Sequence, residues 1–119
     1  MEMIIDEKLS TEKITPELIN YIVEKIVQGI KPEKIILFGS YARGNFNQDS
    51  DLDLFIIKDD ETPNRVIRRK VESLLRGRKF AVDLLVRKPE EVAWNVKARN
   101  PFYLHHIFQN GKVLYERRS

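Results

Sequence analysis

The sequence predicts an α+β domain of two layers, a small mixed β-sheet with helices mainly on one face. Three observations carry this. Apolar runs of strand length stand at Lys34–Phe38, Leu52–Ile57 and Phe80–Arg87, with a last short one at Lys112–Tyr115. Between them, apolar residues recur at helical spacing in segments opened by Thr-Pro or Pro-Glu-Glu and closed near glycine or proline. The resulting order is helix, strand, short helix, strand, helix, strand, two helices, strand, which suits a layered α+β fold.

The bounds agree. A chain of 119 residues is expected to form a single domain, 1–119, that buries roughly two-thirds of its unfolded surface and has no room for a second substrate-binding domain. Hydrophobic content of 42% and charged content of 33% fit a globular protein. No stretch approaches a membrane span, and Met1–Lys8 lacks both a basic leader and a long apolar run, so a cytoplasmic location is expected. The absence of cysteine excludes disulfides and thiolate metal sites.

Taken in order, residues 1–14 read as a loosely ordered arm or short helix. Thr15-Pro16-Glu17 then starts a helix, with Thr15 as N-cap. Leu18, Ile19, Ile22, Val23, Ile26 and Val27 give it a buried stripe, and Gly29 and Pro32 are expected to end it. The unbroken apolar run Lys34–Phe38 predicts a central strand. Ser40–Gly44 opens a short helix, Asn45–Ser50 is a polar loop with Asp49 as its expected cap, and Leu52–Ile57 is the second strand. Thr62-Pro63 predicts another N-cap and first helical position, for a helix ended by Gly77. Phe80–Arg87 is the third strand, Pro89–Ala98 and Phe102–Asn110 are helices, and Trp94, Phe102, Tyr103, Leu104, Ile107 and Phe108 are expected in core or interface. His105-His106 has no partner at ligand spacing, and neighbouring helical side chains diverge by about 100°.

The chain is organised around Ile35–Ile57, a strand, a small-residue loop and a strand that begins with carboxylates. Side chains two apart on a strand share a face, so Asp51 and Asp53 lie together while Leu52, Leu54 and Ile56 point into a core. Two such carboxylates repel unless a divalent cation neutralises them, and hard oxygen ligands suit magnesium or manganese. Asp83, inside an otherwise apolar strand, needs a partner of the same kind. Gly39 lets the backbone approach a ligand, and Ser40 adds a hydroxyl donor. Arg43 either clamps a phosphate or pairs with a carboxylate such as Asp49; the residues alone leave both open. Two other motifs are excluded. A P-loop needs Lys-Ser or Lys-Thr after Gly44, where Asn45-Phe46 stands, and a calcium loop needs glycine at Leu54 and glutamate at Asp60.

What remains is Gly39-Ser40, a gap of ten residues, then Asp51-x-Asp53, and in this the sequence resembles the polymerase β-type nucleotidyltransferase superfamily. Ala42-Arg43-Gly44 makes it similar to the smallest members, the minimal nucleotidyltransferases that pair with HEPN-domain partners. The third carboxylate that family requires is supplied by Asp83. The resemblance covers about Ile19 to Tyr115 and implies the same two-layer architecture. It further implies Asp51, Asp53 and Asp83 as catalytic residues holding two Mg2+ ions, or Mn2+, with Gly39, Ser40 and Arg43 binding ATP as substrate. The implied reaction moves AMP to a tyrosine of a HEPN-family RNase toxin, which the chain serves as a type VII-like antitoxin. Two alternatives stay open: an antitoxin that masks its partner by binding only, and an enzyme modifying a small hydroxylated molecule, although relatives of that kind usually carry an extra domain.

The net charge is +3, but Arg65–Lys88 holds nine Lys or Arg against two acids, Glu72 and Asp83. That density suits phosphates, RNA, an acidic protein surface or a solvated helix face. Phe80 is its one aromatic residue, and so little interleaving argues against direct single-strand nucleic-acid binding.

Overall fold

The computed structural model describes residues 6–118. Its elements are α1 (Pro16–Ile30), β1 (Lys34–Phe38), α2 (Ser40–Arg43), β2 (Leu52–Ile57), α3 (Asn64–Leu74), β3 (Val82–Arg87), α4 (Pro89–Lys97), a π-helix (Phe102–Gln109) and β4 (Lys112–Glu116). The strands form one sheet in the order β3-β2-β1-β4. β1 runs antiparallel to β2 and β4, and β2 parallel to β3, so the sheet is mixed and β1 is internal, as its unbroken apolar run requires.

Strand alternation sorts the core into two layers. Ile35, Leu37, Leu52, Leu54, Ile56, Leu84 and Val86 face the long helices, meeting Leu18, Ile22 and Ile26 of α1 and Ile67 and Val71 of α3. Ile36, Phe38, Phe55 and Ile57 point the other way, under Val92 of α4 and Tyr103 and Ile107 of the π-helix. The second layer leaves the far end of that face uncovered, and the acids of β2 and β3 occur there.

Several boundaries differ from the expected ones for local reasons. Thr15 caps α1 as expected, its hydroxyl accepting from the Leu18 N–H at 3.1 Å. Gly29, however, stays inside the helix, where a Cβ would collide with Leu74 of α3; the left-handed cap falls to Lys31, φ 49°. α3 starts one residue late, with Pro63 itself at the N-cap. In the loop before β2 the cap is Asn47, whose Oδ1 accepts from the Asp49 N–H at 2.8 Å. Asp49 is therefore capped and does not cap.

The segment read as an arm is seated over its described part. Ile4 and Ile5 lie outside the described residues, but Leu9 is fully buried in the α1–α3 layer. Asp6 accepts from Tyr21 at 2.6 Å and pairs with Lys25 at 2.7 Å. Burial pushes the Asp6 carboxyl up, yet the bonds from Lys25 and Tyr21 outweigh it and hold the group below its ordinary value. Near the C-terminus the helix after Pro101 winds as a π-helix, which buries Tyr103 and Ile107 but turns Phe108 outward. Trp94 is 69% exposed, so it belongs to the surface and not to the core. No described helix is long and apolar enough to cross a membrane.

Candidate active site

The sheet brings the predicted acids to one end of one face. Asp53 and Asp83 stand opposite each other in the parallel β2–β3 register, and Asp51 lies two residues ahead of Asp53, just before β2 begins. Asp53 is also the register partner of Phe38 in β1 and shares its face with Phe55. These two rings are buried and packed edge-on by Phe102 and Tyr103 of the π-helix, at 5.8 and 5.6 Å between centroids. The carboxyl of Asp53 thus sits at the wet margin of an aromatic wall.

The electrostatics follow from that position. Loss of water raises the Asp53 carboxyl to about 6, with the charges of Asp83 and Asp51 adding to the rise and Arg43 opposing it. Among the described residues none of the three acids has an ion pair. Arg43 is exposed and makes no bridge to Asp49; its field reaches Asp53 instead.

Gly39 has a role here that its sequence position did not reveal. It adopts φ 73°, ψ −156° at the start of α2, a region open essentially to glycine. A Cβ built on it would collide with Asp53 Oδ2. The missing side chain therefore makes room for the acid, besides opening the backbone. α2 then turns on Gly39, whose carbonyl accepts from the N–H groups of Ala42 and Arg43 at 3.1 Å each, and closes on Gly44 at φ 81°. The Ser40 hydroxyl makes no hydrogen bond among the described residues, and it stands on the first residue of that helix. His105 and His106 have other partners. His105 Nδ1 lies 2.8 Å from Gln109 Oε1, and His106 stacks on Phe102.

The donor set has the chemistry of a hard-cation site, three carboxylates with mutually repelling charge and no internal counter-ion. Its side chains are not closed around one point: no three His, Cys, Asp or Glu among the described residues stand at metal-holding spacing. Asp51 and Asp83 are exposed, so their gathering is a matter of rotamer and not of refolding.

Residues 20–119 match the sequence family described as "Polymerase beta, Nucleotidyltransferase", a stretch that contains every residue of the site. The chain belongs to the polymerase β nucleotidyltransferase family. As a nucleotidyltransferase it is 35% identical over 107 residues to a Methanocaldococcus jannaschii protein named "putative protein adenylyltransferase", covering 90% of this chain and all of that one. A second protein of the same organism and name is 34% identical over 56 residues, 47% of this chain and 56% of the relative. Among solved structures, a "putative nucleotidyltransferase" from Sulfolobus solfataricus superposes with a TM-score of 0.59 at 24% identity, over 85% of this chain and 79% of that one. A mutant form of the toxin-antitoxin MntA-HpeT superposes with a TM-score of 0.54 at 21% identity, over 83% and 73%. At these identities the two structures bear on the fold alone, and they share the small mixed sheet with its helices.

Proposed function

We propose that this nucleotidyltransferase moves AMP from ATP to a hydroxyl of a partner protein, and that the acceptor is a tyrosine of a HEPN-family RNase toxin that the chain thereby silences. The observation that carries the reaction is the convergence of Asp53, Asp83 and Asp51 beside Gly39-Ser40, unpaired and repelling. A protein acceptor is supported by the full-length relative named a protein adenylyltransferase, and a toxin partner by the toxin-antitoxin pair that shares the fold.

Asp51, Asp53 and Asp83 would hold divalent cations, Mg2+ or Mn2+, two of them by the chemistry of such sites; when bound, these neutralise phosphate charge and acidify the attacking hydroxyl. The chain's own groups do the rest. The free N–H groups at the start of α2 and the Ser40 hydroxyl receive oxygens of the triphosphate, and Gly39 presents no side chain to obstruct them. Arg43 balances charge beside Asp53. The acceptor oxygen attacks the α-phosphorus, the bond from that phosphorus to the bridging oxygen breaks, and pyrophosphate leaves. The proton of the hydroxyl passes to the exposed carboxylate of Asp83. A phenol, with a pKa near 10, needs only a few units of activation. The aromatic wall of Phe38 and Phe102 keeps one side of the site dry, which strengthens these interactions.

The test is to mix the protein, ATP and magnesium with a HEPN-family toxin and to map any added mass. AMP on a partner tyrosine is the expected result. A partner that binds and is silenced while its mass stays constant over hours establishes masking in its place.

A further inference from the structure

A groove of about 900 Å3 lies between the outer face of α3 and the turn into β3. Arg69, Arg76, Arg78 and Lys79 line it together with Ser73, against a single acid, Glu72. Arg68 already pairs with Glu72 at 3.5 Å, and none of the four lining cations has an ion pair among the described residues. Four cations against one acid leave the lining net positive, an arrangement that favours a negatively charged ligand.

Its place in the fold gives the groove meaning. Ala81 forms one end of it, and the Ala81 carbonyl accepts from the Leu52 N–H at 2.9 Å, which ties that end to the first residue of β2. Ala81 and Asp83 are two apart on one face of the chain, roughly 6 to 7 Å along a strand. The groove therefore ends two residues short of Asp83 along the chain, on the side of β2 away from Gly39-Ser40, since β3 is the outer neighbour of β2.

We infer that this groove docks an acidic segment of the acceptor protein, close in sequence to the hydroxyl that is modified. The inference rests on the reading of the acids as the transfer site and adds the recognition of the acceptor. An acceptor hydroxyl at Asp83 carries its flanking residues within a few residues' reach of Ala81. A nucleic-acid strand suits the lining less well. The groove's aromatic residue, Phe80, is only 6% exposed and turned into the core, so no ring is offered for a base to stack on. Recognition by backbone-distant Arg and Lys heads, with one serine hydroxyl, fits carboxylate side chains on an extended peptide.

The experiment uses two synthetic peptides with one central tyrosine, one flanked by glutamates and the other by lysines, and a single-stranded RNA 12-mer, each carrying a fluorophore. Binding is read by anisotropy to the wild-type chain, to the double variant R76E/K79E and to Asp53→Asn. Both reversed side chains are exposed, and circular dichroism confirms that the variant is folded. The acidic peptide is expected to bind the wild type, weaker at high salt, and to lose at least about tenfold in affinity in R76E/K79E. Binding should persist in Asp53→Asn even though transfer is lost, which separates the groove from the reading of the acids. Equal binding of the two peptides, or acidic-peptide binding that R76E/K79E leaves unchanged, overturns the proposal. RNA that binds more tightly than the acidic peptide and is released by R76E/K79E overturns it in favour of a nucleic-acid surface.

Discussion

Asp53→Asn is expected to abolish nucleotidyl transfer and at the same time to make the ligand-free chain more stable at neutral pH. Transfer should fall by at least about a hundredfold, the order of loss when one preorganised charge contact to a transition state is removed. The stability gain follows from the carboxyl's position. Burial, then Asp83 and Asp51, raise it from the ordinary value of 3.8 to about 6 in the folded chain. Between those values the folded state binds more protons than the unfolded one, so stability falls as pH rises through the window and the loss is complete above about 6. Asparagine keeps the shape but does not ionise, so it is free of this loss. The difference in Tm between variant and wild type should grow from pH 4 to pH 6.5, and saturating magnesium should narrow it by stabilising only the wild type. Asp6 and Glu91 titrate in both proteins and cancel in the difference. A Tm difference that does not change with pH, or full transfer by the variant, contradicts the account of this acid. Asp51→Asn should lose transfer as well.

Adding a single methyl group at Gly39 is expected to damage both the backbone there and the site. Gly39→Ala places a Cβ against the Asp53 carboxylate on a backbone at φ 73°, ψ −156°. The strain alone costs about 1 to 3 kcal/mol, and the displaced acid costs the site. Gly44→Ala is the control: φ is 81° there too, but nothing lies within 4 Å of the added carbon. It should lose stability through strain and keep transfer. Ser40→Ala should weaken nucleotide binding by about 0.5 to 3 kcal/mol, the range for one hydrogen bond to a charged group or less. Gly39→Ala with the wild type's Tm and transfer rate would remove both roles assigned to the glycine.

Much of this molecule is legible in the letters because period and punctuation agree in it. Leu52 to Ile57 alternates and lies on two buried layers, and Thr15-Pro16 is read correctly as cap and first turn, since both signals are local. The acids are legible for the same reason: a two-residue spacing fixes a shared face. What failed was decided by distant contacts. Gly29 looks like a terminator until Leu74 is seen against it, and Leu9 looks like part of a loose arm until the layer between α1 and α3 receives it. The closeness of Gly39 to Asp53 belongs to this class, because it depends on the antiparallel register of β1 with β2. Trp94 and Phe108 read as core or interface, and their exposure removes only the core half of that reading.

The measurement that tests the central claim most directly follows the fate of the phosphates. The chain is incubated with magnesium and the proposed HEPN-family acceptor, once with ATP labelled at the α-phosphorus and once with ATP labelled at the γ-phosphorus. Nucleotidyl transfer by Asp51, Asp53 and Asp83 predicts α-label bound covalently to protein, γ-label released in pyrophosphate, and neither result when Asp53 is replaced by asparagine. Label from the γ-position on protein, or α-label that Asp53→Asn incorporates as fast as the wild type, would contradict it.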